Sequence, residues 1–122
     1  MNSLPLTSSL ADFIALLEGN AEKITFEQVM QVIRENYIYT ATAFTNGHVF
    51  NGEGINEGSC KIFYFAKLNQ FTEQQTLACF GQYYREDVLK DPHGKGHDNI
   101  RNFIKTGWSK IDFNAVALSP LV

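Results

Sequence analysis

Helical periodicity runs through most of the chain and lapses once, in the middle. Across residues 9–18, Leu10, Phe13, Ile14 and Leu17 fall at i, i+3, i+4 and i+7, one face of an α-helix. Ser8 or Ser9 suits its start, and Gly19-Asn20 suits a left-handed end. A second helix opens at Thr25, which with Gln28 forms a capping-box pattern ahead of Phe26, Val29, Met30, Ile33 and Tyr37. The short link between the two predicts an antiparallel pair. From Tyr39 to Phe50 the pattern turns Thr-rich and aromatic around Asn46-Gly47, a dipeptide suited to a tight hairpin turn or to an irregular loop. Residues 51–58 are too rich in glycine for regular structure.

Periodicity then resumes. The apolar run at 61–68 fits a buried strand by length, but Ala66, Lys67 and Leu68 favour a helix starting near Ser59. Thr72 and Gln75 form a second capping box, and Leu77, Phe80, Tyr84 and Val88 predict one helix ending before Pro92. Asp98 suits the cap of a short helix with Ile100, Phe103 and Ile104, closed by Gly107. Trp108, Ile111, Phe113, Val116 and Leu118 mark an apolar tail that packs back on the rest. The expected fold is mainly α, with α+β as the alternative: four to five short helices around a small β-hairpin or irregular loop. The expected organisation is a single domain over 1–122, with 1–8 a flexible N-terminus.

Composition narrows the function classes. With 122 residues the chain suits one domain with a core of its own, and its ten Phe and five Tyr exclude disorder. Ten Lys+Arg against thirteen Asp+Glu give a net charge of −3, which argues against sequence-independent nucleic-acid binding. No apolar stretch approaches the roughly 18 residues of a membrane span, and the N-terminus shows no secretory signal. A cytoplasmic location follows as the expectation, with Cys60 and Cys79 as free thiols. No cofactor or metal motif is present: Gly94-Lys95-Gly96 is no phosphate-binding loop, and His93 and His97 lack a helical face that would fix two ligands.

Two constellations carry candidate chemistry. Cys60 stands in the first turn of the third helix, where unsatisfied N–H groups favour a thiolate and Gly58 leaves the backbone open. With His97 as base and Asp98 or Asn99 orienting it, the set matches a nucleophilic thiol site. The competing reading makes Cys60 a core thiol beside Ile62 and Phe63, and His97-Asp98 a helix-capping pair. The second constellation is a surface of amides, aromatics and cations suited to a partner or small ligand: Asn46, Asn56, Glu57, Arg85, Asn99, Arg101 and Trp108. Arg101 is expected to pair with Glu57 or Asp98.

Several blocks together resemble the HopJ type III effector family: Phe44-Thr45-Asn46-Gly47, Asn56 through Phe63, Thr76 through Gly81, Tyr83-Tyr84-Arg85, Asp87-Val88-Leu89, His97 through Phe103, and Gly107-Trp108. They spread over nearly the full chain. The family takes its name from a bacterial effector delivered into host cells, so the resemblance implies export by type III secretion. It brings no catalytic residues. Two function classes therefore stand at this point: a module that binds a host or cellular protein, or a small ligand, through the Asn-Gly-rich region, and a cysteine hydrolase or acyltransferase using Cys60 and His97.

Overall fold

A computed structural model describes residues 5–121, with side chains from Ser9 to Leu121. Helix α1 (Pro5–Asn20) starts with proline in the first turn, where its missing N–H is harmless. Pro5 to Ser8 belong to α1, and residues 1–4 of the expected N-terminal stretch lie outside the described residues. Ser8 and Ser9 sit inside α1 instead of capping it, and Ser9 Oγ accepts a hydrogen bond from Asn36 Nδ2 at 3.0 Å. Helix α2 (Phe26–Asn36) packs against α1 and carries the expected capping box, with Thr25 and Gln28 bonded reciprocally.

Helix α3 (Glu57–Leu68) runs through the centre. Cys60, Ile62, Phe63, Phe65 and Ala66 are all buried, so its apolar run needs no single-face periodicity. The ring of Phe63 meets those of Phe44, Phe80, Phe103 and Trp108 at centroid distances of 5.0 to 6.4 Å. Burying one such side chain stabilises the fold by about 2–3 kcal/mol.

The Thr72 box starts α4 (Glu73–Ala78), but the single helix expected up to Pro92 does not form. The chain turns at Gly81, whose φ of +61° is left-handed, and continues as a π-helical segment over Tyr83–Val88. The reason is tertiary. A Cβ on Gly81 would lie 2.5 Å from the backbone nitrogen of Phe26, so the turn packs against the start of α2 too closely for any residue but glycine.

The last helix, α5 (Asp98–Thr106), is closed by Gly107 at φ +63°. Its N-cap is His97 and not Asp98, which is the first helical residue.

The strands are short and lie outside the helical core. β1 (Tyr37–Tyr39) pairs antiparallel with β5 (Leu118–Pro120). β2 (Phe44–Asn46) pairs with β3 (Val49–Asn51) as the hairpin around Asn46-Gly47, and β4 (Ile111–Phe113) joins the other edge of β2. The C-terminal tail therefore returns to the domain as two strands, although Val116 is exposed. The architecture is mainly helical with two small antiparallel sheets.

Candidate ligand-binding cleft

Four buried asparagines join the hairpin to α5. Asn46 Nδ2 donates to the carbonyl of Asn99 at 2.8 Å and to its Oδ1 at 3.1 Å. Asn51 Nδ2 donates to the same Oδ1 at 3.2 Å, and Asn99 Nδ2 returns a bond to Asn51 Oδ1 at 2.9 Å. Asn102 Nδ2 donates to the carbonyl and side chain of Asn46 at 2.6 and 3.0 Å. Each amide carries both a donor and an acceptor, so such a ring satisfies itself without charge. Gly47, at φ +62°, completes the lock: its N–H donates to the Lys110 carbonyl, and the Asn102 amide fills the space a Cβ would take. The hairpin is thereby held in fixed register against α5.

This lock positions the starts of two helices around one cleft of about 480 Å³. Gly58 and Ser59 of α3 line one side, the N-cap His97 with Asp98, Asn99 and Ile100 of α5 another, with Phe26, Phe80 and Tyr83 as the apolar part. Both helices open on a left-handed N-cap, Asn56 at φ +56° and His97 at φ +61°, and neither side chain caps its helix. The diversion has a visible cause in each case. Asn56 Nδ2 donates to Asn51 Oδ1 at 2.7 Å, and His97 Nε2 meets Asp87 Oδ2 at 2.9 Å while its ring stacks on Tyr83 at 5.3 Å. The first-turn N–H groups of Gly58, Ser59, Asn99 and Ile100 consequently meet no acceptor among the described residues. A left-handed residue leading into a right-handed turn aims successive N–H groups to one side, an arrangement suited to anions. Lys95 adds positive charge at the rim and Asp98 negative charge.

Other residues singled out by the sequence take different places. Cys60 is 1% exposed and its thiol donates to the Thr42 carbonyl at 3.8 Å. Burial raises its pKa above the ordinary thiol value. The groups acting on it are Thr42, Tyr39, Glu57 and Lys61, with no imidazole among them. Cys60 does not line the cleft, whereas His97 does. Glu57 accepts from the Tyr39 hydroxyl at 2.9 Å, and burial together with that bond raises the pKa of Tyr39. Arg101 forms neither expected ion pair: its Nε donates to the Gly96 carbonyl at 2.5 Å and an Nη to that of Asp91 at 2.7 Å. Trp108 packs on Phe63 and Phe103, and its indole N–H donates to the Phe71 carbonyl at 3.2 Å. Arg85 lies in the π-helical segment with Nη1 buried and unpartnered among the described residues. Gly58, read from sequence as an opening for substrate, gives its space to the ring of Phe26, whose Cζ would lie 2.7 Å from a Cβ.

Sequence reasoning missed Asn102, Asp87, Phe26 and Lys95. Asn102 follows Asn99 by three residues on α5, a spacing that puts both on one face and was available as a signal. The pairing of Asp87 with His97 has no local signature.

The fold defines a mainly helical domain whose amide-locked hairpin supports an open-ended, two-helix cleft. Its family follows from comparison: the HopJ type III effector protein family matches residues 10–118, and the chain belongs to that family. The crystal structure of VPA0580, a protein described as of unknown function, is 50% identical to this chain. The two share a TM-score of 0.90, over 91% of this chain and 92% of that one. No curated protein matches. Among the described residues, no helix is long and apolar enough to cross a membrane.

Proposed function

We propose that the protein is a binding module whose cleft takes a small organic anion. The observation that carries this reading is the convergence of two uncapped helix N-termini on one cavity. The unpaired N–H groups suit a carboxylate head, and Phe26, Phe80 and Tyr83 suit an apolar or aromatic body. The alternative of thiol catalysis draws no support from the surroundings of Cys60, where burial and a carbonyl partner favour the neutral thiol.

Titration of the full chain with benzoate, with acetate as the headgroup-only probe, tests the reading by amide NMR. Saturable shifts at Gly58, Ser59, Asn99 and Ile100 are expected, with benzoate the tighter of the two. If those four amides stay still up to the solubility limit, the cleft is no anion site. Membership of the HopJ family further supports export through a type III system, with residues at the N-terminus as the signal. A translocation-reporter fusion to that stretch should enter host cells from a secretion-competent strain and fail to do so from a secretion mutant.

A further inference from the structure

Ten cations are distributed over a chain of net charge −3, and three of them surround one concavity. This groove, about 410 Å³, adjoins the cleft and is lined by Lys95, Arg101 and Lys105 together with His48. The acids facing it are Asp98 on its wall and Asp91 beside Gly94. Among the described residues, neither acid comes within ion-pair distance of the three cations; Lys90 pairs with Glu86, and His97 Nε2 is hydrogen-bonded to Asp87.

Arg101 and the turn that leads to His48 are also held in place. Arg101 is clamped through two of its nitrogens by the carbonyls of Gly96 and Asp91, which leaves Nη2 without a bond. His48 follows the Asn46-Gly47 turn, which Asn102 and Lys110 hold in place from two sides. Lys105 lies one helical turn beyond Arg101 on α5, on the same face.

We infer that this groove binds a compact phosphate-bearing ligand, a phosphate monoester or diphosphate. A doubly charged tetrahedral group can engage donors from three directions at once, as the hairpin turn, the 94–96 loop and α5 present them here. A planar carboxylate pairs best with two adjacent free guanidinium nitrogens, and Arg101 offers Nη2 alone. A nucleic acid needs a stripe of cations that follows a backbone, and one compact group in an acidic protein does not supply it.

The test is a titration of the isotope-labelled full chain with pyrophosphate and with inorganic phosphate at low ionic strength. Saturable shifts at His48, Lys105 and Arg101 are expected, with pyrophosphate tighter and both weakened by added salt. Lys105→Gln should weaken pyrophosphate by about tenfold, the equivalent of one charge-assisted hydrogen bond. His48→Gln serves as a second variant, since both residues lie outside the cleft. Absence of saturable binding overturns the inference, as does a double variant that binds like the unaltered chain. Equal affinity for succinate or for an acidic peptide overturns the phosphate assignment. Shifts confined to Gly58 and Ser59 would also overturn it while sparing the cleft, whereas failure of benzoate at those amides leaves the groove untouched.

Discussion

Helices α2 and α4 begin in one way, α3 and α5 in another. At α2 the Thr25 hydroxyl accepts from Gln28 N–H, Gln28 Oε1 accepts from Thr25 N–H, and Gln82 Oε1 accepts from Phe26 N–H at 3.0 Å. The same reciprocal box closes α4 through Thr72 and Gln75. At α3 and α5 the N-cap side chains are drawn elsewhere, to Asn51 and to Asp87, and first-turn residues of both helices line the cleft. A capped start uses its donors to stabilise the helix. An open start keeps them for a ligand, and tertiary contacts must then hold the helix in place. Here the asparagine lock does so for α5, while burial along the α3 face does so for α3.

The comparison can be broken most severely at the capped end of α2. Gly81→Ala places a Cβ 2.5 Å from Phe26 N at a left-handed φ, and should destabilise by more than about 3 kcal/mol. Urea denaturation would measure it, and a loss below 1 kcal/mol, on the order of the φ strain alone, would mean that the α2 start gives way easily. Asn99→Ala attacks the support of the open end. It leaves Asn46 and Asn51 with fewer partners in a buried site, at about 2–3 kcal/mol, and should raise hydrogen exchange in both the hairpin and α5. Exchange that rises in α5 alone would show that the amides do not act as one unit.

The two thiols sharpen the contrast. Cys60 lies in the first turn of open-ended α3, Cys79 at the C-terminal end of boxed α4, and burial raises both, Cys79 to about 12. Neither should react with iodoacetamide near neutral pH in the native protein; rapid labelling of Cys60 would mean that the open helix end outweighs burial. Because the unfolded thiol ionises near 9 while buried Cys79 stays protonated, stability is full below pH 9 and falls as pH climbs towards 12. The slope is at most about 1.4 kcal/mol per pH unit for each thiol, readable from denaturation midpoints in alkaline buffers. Thr72→Ala should have the smallest effect, about 1 kcal/mol from one lost cap, with benzoate shifts at Gly58 and Ser59 unchanged. A weakened titration in that variant would tie the capped and open ends together.

Legibility divided along the same line. Both capping boxes, the Asn46-Gly47 hairpin, the helical choice for residues 59–68 and the Gly107 stop were readable, because each is set by residues within one turn of one another. The break at Gly81 was not, because a glycine inside a periodic stretch looks tolerable until the start of α2 is found against it. Asp98 was the natural cap by composition, yet His97 holds the cap position through Asp87 and Tyr83, ten and fourteen residues away. Asn46 and Asn99 were singled out as surface recognition residues. Both are buried, and the amide that links them was decided by packing.

What the sequence determined by itself is therefore the set of local rules: which stretches are helical, where threonines and glycines start and stop them, and which family the motif blocks resemble. The tertiary structure decided which polar groups face each other across 48 to 56 residues, which helix ends stay open, and on which side of α3 the Cys60 thiol falls. The physical reason is range. Caps and turns are satisfied within a few residues, whereas a buried amide or an open N–H is defined by whatever the rest of the chain brings to it.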